Sequence, residues 1–459
     1  MIDNKLKKQL EKCLGKEKVF TEKEYLITYS YDATGNEYLP DLVVLPENEE
    51  DIRHILDIAY QHKVPVTPRG AGVGYSGGSV PLHGGIALVF TRMNRILKID
   101  SENFIVEVEP GVVTHYLQKE VEKRGLFYPP DPASLKTSTI GGNVAENAGG
   151  LRCFKYGVTG NYVLGLEAFL VNGQKIHAGA HVIKNVAGYD VKSLLVGSEG
   201  TLAVISKILL KLIPLPPSQQ LFRVDFNSLH KGAEFINRVI KANIAPSVLE
   251  FMDKSSLAAV SDYLHLPMKP GVNASVLLEI DGNKTDVEAR KEQLSRLVKE
   301  NEADVIEFRV AVSAAEQEEL WSTRRNISPA ISKLKPKKIN EDIVVPISKI
   351  PDCVDFINTL AKELRLMIIL FGHFGDGNIH TNIMVDPADT DEMKRADTAL
   401  DKIFRYVISV QGSISGEHGI GISKKPFMKY QFNDVEMEVF KNIKKAFDPE
   451  NVLNPGKIF

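Results

Sequence analysis

The sequence predicts an α+β protein built from two domains, and three features carry that expectation. A chain of 459 residues exceeds what one ordinary core accommodates. Its glycines are unevenly spread, 21 of 34 falling between Gly70 and Gly200. Composition then changes after Pro214-Leu215-Pro216-Pro217-Ser218, a stretch with the character of a linker.

Before that linker, short apolar runs alternate with turn residues: Asp41–Leu45, Ile86–Phe90, Ile105–Val108, Leu164–Val171 and Leu202–Leu212. These read as strands, with helices over Glu50–His62 and Thr114–Arg124 between them. Beyond it glycine thins out, and amphipathic helices over His230–Asn243, Lys284–Asn301 and Lys349–Arg365 alternate with short strands. Near Gly412 the glycine-rich style returns. The expected division is a helical segment 1–36, a first domain 37–214, a second domain 215–411, and a tail 412–459 that packs back onto the first.

Composition excludes several classes of function. Lys and Arg number 56 against 59 Asp and Glu, a net charge of -3, and no like-charged run marks a nucleic-acid surface. The N-terminus MIDNKLKKQLEKCLGKEKVF lacks a continuous apolar stretch, so neither a secretory signal nor a membrane span is expected there, and the expected location is cytoplasmic. Three cysteines far apart in sequence, Cys13, Cys153 and Cys353, supply neither a disulfide framework nor an iron–sulfur ligand set.

Pro68-Arg69-Gly70-Ala71-Gly72-Val73-Gly74-Tyr75-Ser76-Gly77-Gly78 contains a formal GxGxxG at Gly72, Gly74 and Gly77. A dinucleotide fingerprint must open a helix facing the pyrophosphate, and Gly78, Pro81, Gly84 and Gly85 forbid one. Successive glycines instead expose backbone N–H groups as an anion nest. A tight structural turn is the plainer alternative for one isolated loop. Two further segments stand beside it, Thr139-Ile140-Gly141-Gly142-Asn143-Val144-Ala145-Glu146-Asn147-Ala148-Gly149-Gly150 and Asn185–Asp190 with Gly197-Ser198-Glu199-Gly200-Thr201-Leu202.

With these segments the chain resembles the vanillyl-alcohol oxidase superfamily, in its glycolate oxidase and D-lactate dehydrogenase branch. The resemblance runs nearly end to end, including Leu453-Asn454-Pro455-Gly456. It implies a PCMH-type FAD-binding domain over 37–214 with a substrate, or cap, domain inserted over 215–411. It further implies FAD contacts from Arg69, Gly70, Ala71, Gly72, Val73, Gly74, Tyr75, Gly77 and Gly78, and from Asp131, Thr137, Gly141, Gly142, Asn147, Gly149, Gly150, Gly200, Ile205 and Asn454. Members that bind flavin covalently commonly carry a histidine in the first loop. Val73 and Tyr75 stand there, so the FAD is expected to be non-covalent.

His373-Phe374-Gly375-Asp376-Gly377-Asn378-Ile379-His380 lies between the apolar runs Met367–Phe371 and Ile379–Val385, which reads as a β-hairpin. A turn centred between Asp376 and Gly377 sets the two histidines opposite one another, with Asn382 on the face of His380. So placed, two imidazoles can converge on one cation, although two histidines alone are more often ordinary polar residues. In the family, HxGDGNxH and GEHG supply metal ligands and the catalytic base, which implies His373, His380 and Glu417 as ligands of Zn, Fe or Mn, and His418 as the base. Gly416 and Gly419 are expected to bend the chain so that both neighbours are usable.

The family also places an arginine after a tryptophan. Here Trp321-Ser322-Thr323-Arg324-Arg325 offers two, of which Arg324 is the choice for clamping a substrate carboxylate. Arg325 in that role, or a surface ion pair for either, stays open. A lysine that some relatives place before an acidic segment has no counterpart at Asn340-Glu341-Asp342, with Lys338 displaced.

The resulting expectation is an FAD-dependent dehydrogenase that oxidises a small D-2-hydroxy acid, D-lactate or glycolate, to the 2-oxo acid. His418 takes the hydroxyl proton, Arg324 and Asn382 hold the substrate, and the hydride goes to flavin N5. Without iron–sulfur cysteines, the electrons must leave to oxygen, a small carrier or a partner protein, and the resemblance implies an electron-transferring flavoprotein or an iron–sulfur subunit. Two rivals are an FAD-binding electron-transfer subunit that oxidises no substrate itself, and an alcohol or sugar oxidase of the same superfamily.

Overall fold

The computed structural model describes residues 4–459, which divide into two compact units. The first comprises the chain up to Gly149, Val158–Leu215 and Glu417–Phe459. Strands β1 (Val19–Phe20), β2 (Leu42–Val44), β3 (Val66–Arg69) and β4 (Ile86–Val89) form a four-stranded sheet in the order β1-β2-β4-β3. β4 runs parallel to both β2 and β3, so the chain crosses over between β2 and β3. The crossover is the helix Glu49–His62, started by Asn48, whose side chain accepts from the Asp51 N–H. Its Ile52, Ile55, Leu56 and Ala59 are fully buried against Leu42, Val44, Val66, Ile86 and Leu88.

The same unit holds β5 (Ile96–Asp100), β6 (Ile105–Val108), β7 (Leu126–Phe127), β8 (Val163–Phe169), β9 (Lys175–Gly179), β10 (Val204–Lys211) and β11 (Ile213–Pro214). Five of these make an antiparallel sheet in the order β5-β6-β10-β8-β9, and β7 pairs with β11. No helix follows the Gly70–Gly78 loop: residues 70–85 are turns and irregular chain, as its glycines and Pro81 require.

The second unit, Gly150–Gly157 with Pro216–Gly416, is organised by a seven-stranded, wholly antiparallel sheet. Its strands are β12 (Ser218–Phe226), β13 (Val248–Asp253), β14 (Ala274–Gly282), β15 (Val305–Val310), β16 (Lys337–Val344), β17 (Met367–Gly372) and β18 (Asn378–Val385), in the order β15-β12-β14-β13-β17-β18-β16. On one face Met252, Leu277, Ile369, Phe371 and Met384 pack with Leu257 and Val260 of the helix Lys254–Leu264. Leu320 of the helix Ala314–Arg325, and Ile327 and Ile331 of the next, join the same cluster.

The limits of this unit differ from 215–411, for reasons visible in its hydrogen bonds. Gly150–Gly157 joins it because Lys155 pairs with Asp281 of β14 and the Tyr156 hydroxyl donates to the same carboxylate at 2.7 Å. At the other end, Ser413 exchanges backbone hydrogen bonds with Val344 and the Gly416 N–H donates to Asp342 at 2.8 Å, carrying the unit on to Gly416. Among the described residues no helix is long and apolar enough to cross a membrane.

Candidate active site

The glycine segments of the first unit meet around one cavity. Arg69–Tyr75 and Gly78 line it, with Gly141, Gly142, Gly149, Gly200, Ile205, Glu417 and His418. Close approach explains the glycines best at Gly141, where a Cβ would stand 2.5 Å from the Pro110 Cβ and 2.9 Å from its carbonyl oxygen. Gly141 and Gly142 open a short helix, Ile140–Glu146, capped by the Thr139 hydroxyl, which accepts from the Gly142 N–H at 3.3 Å. A glycine-rich wall with backbone N–H groups suits a pyrophosphate, so the residues present fit FAD. The first loop carries no histidine.

Six of the residues expected at the cofactor lie outside this lining. Gly77 is glycine for another reason: it turns at φ +77, and a Cβ would stand 2.3 Å from the Ile422 Cγ1. Asn454 ties chain segments together, its amide donating at 2.7 Å to the carbonyls of both Gly78 and Glu199. Asn147 ends the Ile140–Glu146 helix in the left-handed region and accepts from the Gly160 N–H at 2.8 Å. The Thr137 hydroxyl donates to the Ser134 carbonyl, Asp131 is buried, and Gly150 belongs to the second unit. Conversely, Phe90, Pro110, Ser134, Thr139 and Glu146 line the cavity without having been expected there: the first three lie outside the glycine segments, and Thr139 and Glu146 are non-glycine members of the Thr139–Gly150 segment.

His418 faces this cavity beside Tyr75, the ring centroids 5.2 Å apart. The chain after it is held by Glu199, which accepts from the N–H groups of Ile420 at 2.7 Å and Gly421 at 2.8 Å. Burial pushes the Glu199 carboxyl above its ordinary range despite those two hydrogen bonds. The bend itself falls at Gly419 (φ +80) and Gly421 (φ +49). Gly416 does different work, since a Cβ there would stand 2.3 Å from the Asn378 Nδ2.

In the second unit the hairpin forms, with its turn centred one residue earlier than expected and its register therefore shifted by two. β18 places His380 opposite Phe371 and Asn382 opposite Ile369, so His373 lies beyond the ladder, in the turn. A shift of two residues keeps each side chain on its face, so His373, two residues after Phe371, stays on the side of His380. Gly372 lies between Phe371 and His373 at φ +152, where a Cβ would stand 2.7 Å from the Asn378 carbonyl oxygen. The two Nε2 atoms are 3.3 Å apart and the rings stand at 87°. Two nitrogens bound tetrahedrally at 2.0–2.1 Å lie about 3.3–3.4 Å from each other, so this pair fits a divalent cation. Alongside, Asn382 is fully buried, and its Oδ1 has no hydrogen-bond partner.

The two arginines separate clearly. Ser313 and Glu316 form a capping box that starts the helix Ala314–Arg325. Residues one apart on a helix differ by about 100° around its axis, so the neighbours cannot share a face. Arg325 points outward to Glu318, with N–O distances of 2.9 and 3.1 Å. Arg324 is 7% exposed, stacks over Phe371 and donates from Nε to Glu250 at 2.5 Å. Glu250, on β13, also meets the His373 Nδ1. Burial alone would raise its pKa, but the charges of Arg324 and His373 and their hydrogen bonds hold it below the ordinary carboxylate range. Motif reading passes Glu250 by. Its only sequence signal is a carboxylate inside the apolar run Ser247-Val248-Leu249-Glu250-Phe251-Met252.

Comparison with known proteins identifies the family. Residues 40–179 match a family model described as an FAD binding domain, and residues 215–458 match one described as the C-terminal domain of FAD linked oxidases. A glycolate oxidase subunit of Bacillus subtilis is 41% identical over 100% of this chain and 97% of its own length. A D-lactate dehydrogenase of Anaerostipes hadrus is 35% identical over 91% of this chain and 89% of its own. A D-2-hydroxyglutarate dehydrogenase of Stutzerimonas stutzeri is 32% identical over the whole of both. In fold, the chain superimposes on p-cresol methylhydroxylase with a TM-score of 0.81 at 15% identity, covering 99% of this chain and 96% of that one.

Proposed function

Because the chain belongs to the FAD-linked oxidases, with an FAD-binding domain followed by the oxidase C-terminal domain, we propose that it oxidises a small D-2-hydroxy acid to the 2-oxo acid. D-lactate and glycolate are the substrates of choice. The observation that carries the proposal is the convergence of the His373 and His380 Nε2 atoms at 3.3 Å. Glu417 completes the ligand set: it directly follows Gly416, which is held by Asp342, the cross-strand partner of His380. Two histidines and one carboxylate leave coordination positions open, as a catalytic site requires.

The roles of the side chains follow from their chemistry. Arg324 spends its Nε on Glu250, and its two terminal nitrogens make no other hydrogen bond among the described residues. That fork suits a substrate carboxylate. The unpartnered Oδ1 of Asn382 is an acceptor for the substrate or a water beside it. His418 takes the hydroxyl proton, a task matched to imidazole at neutral pH. A divalent cation would favour the ionised hydroxyl, and FAD would accept the two electrons. FAD is bound without a covalent link, and the electrons continue to a separate redox protein, in keeping with the relatives that are subunits of an oxidase.

Anaerobic mixing with D-lactate and with glycolate, followed by flavin absorbance before and after chelation, tests this reading. Bleaching that is lost on chelation and restored by zinc or manganese is expected. A flavin that stays oxidised with every 2-hydroxy acid in the presence of metal would show that the chain only relays electrons.

A further inference from the structure

We propose that Glu250 is a positioning residue shared by the metal and substrate sites, aligning His373 and Arg324 through the two oxygens of one buried carboxylate. This rests on the roles given above to His373 and Arg324, and adds to them a group that neither touches substrate nor binds the cation. Glu250 is fully buried on β13. Its Oε1 meets the His373 Nδ1 and its Oε2 meets the Arg324 Nε, both at 2.5 Å.

The consequence for His373 is a fixed tautomer. A carboxylate only accepts, so Nδ1 must carry a proton, and in the neutral imidazole that binds a metal the lone pair is then on Nε2, 3.3 Å from the His380 Nε2. Carboxylate partners of this kind set ring orientation and basicity in metal-binding histidines. For Arg324, capture of Nε fixes the plane of the guanidinium over Phe371, 5.0 Å from the ring centroid, and leaves the terminal fork available. One carboxylate therefore sets the direction of two functional groups, one from the hairpin turn and one from a helix. The desolvation of an isolated buried carboxylate is what makes both partners obligatory.

A carboxamide of the same shape cannot do both. Glu250→Gln offers one accepting oxygen and one donating nitrogen, so either His373 takes the other tautomer or Arg324 faces an N–H group. The test uses the FAD-loaded protein, stripped of metal and titrated with zinc by calorimetry, with KM and kcat measured at saturating metal. The expected result for E250Q is zinc affinity lower by about 10–100-fold, a raised KM for the hydroxy acid, and unchanged FAD content. Zinc affinity and KM both within twofold of wild type, with only a lower melting temperature, would reduce Glu250 to a structural residue and overturn the proposal.

If E250Q does not retain FAD, the wild type answers the question through the nitrogen-15 spectrum of its histidines, with His373 assigned by comparison with His373→Gln. A proton on the His373 Nδ1 is expected, and a bare Nδ1 overturns the proposal. A wild-type protein that takes up no metal at all would instead remove the parent reading, so the two failures are distinguishable.

Discussion

At the scale of single residues, adjacent arginines provide the sharpest contrast. Arg324 and Arg325 are chemically identical, yet one is buried against Glu250 and the other exposed beside Glu318. Arg324→Lys is expected to raise KM for a 2-hydroxy acid by at least about tenfold, because an ammonium cannot reproduce the fork. Arg325→Lys should leave kcat/KM within about twofold and stability within about 0.5 kcal/mol. Steady-state kinetics on the pair decides it, and equal effects would refute the assignment. Asp253 offers a test of a different kind. Burial pushes its carboxyl up to about 6 from 3.8, even though it accepts from the N–H groups of Leu370 and Ser256. A folded pKa above the unfolded one favours folding at low pH, and this advantage is lost as pH rises through about 6. Asp253→Asn should therefore gain on wild type between pH 4 and 7, by up to about 3 kcal/mol. Urea denaturation at both ends of that range measures it, and a difference independent of pH would count against the shift.

At the scale of elements, glycine patterning foretold where backbone would come close, and the hairpin showed what pattern alone misses. The strand at Ile105–Val108 and the helices over 49–62 and 284–300 follow the hydrophobic periodicity closely, because each buries one regular face. The histidine hairpin was legible as an element, whereas its register was not. Counting from Gly-Asp-Gly-Asn centres the turn one residue too late, because the turn runs over Phe374-Gly375-Asp376-Gly377 and so begins with an apolar residue that carries no turn signal. Gly141 gives the element-scale prediction. Gly141→Ala brings a Cβ within 2.5 Å of the Pro110 Cβ and 2.9 Å of its carbonyl oxygen, so the helix at Ile140–Glu146 must shift. Lower FAD occupancy and a loss of about 1–3 kcal/mol are expected. Gly35→Ala serves as the contrast, since a Cβ there meets nothing within 4 Å and only its positive φ is strained, whereas Gly141 has crowding without a positive φ. A Gly141→Ala variant with unchanged stability and FAD occupancy would refute the crowding.

At the scale of the whole chain, distant segments are fastened by few side chains. Asn454, near the C-terminus, donates to carbonyls of Gly78 and Glu199, so one amide joins the tail to two walls of the cavity. Asn454→Ala should cost about 1–3 kcal/mol and weaken FAD binding, because two buried carbonyls lose their donor. Thermal melts with and without added FAD measure both effects, and an unchanged FAD affinity would exclude the tail from cofactor retention. What the sequence determined alone was the α+β class, the glycine walls, and the motif residues His373, His380, Glu417 and His418, because these depend on short-range pattern and on chemistry written in consecutive residues. Only the tertiary structure separated Arg324 from Arg325, set the register that brings the two histidine nitrogens together, and placed Glu250 between an imidazole and a guanidinium. Those outcomes depend on pairing across strands and helices 74 and 123 residues apart in the chain, and burial is what gives a lone carboxylate its importance there.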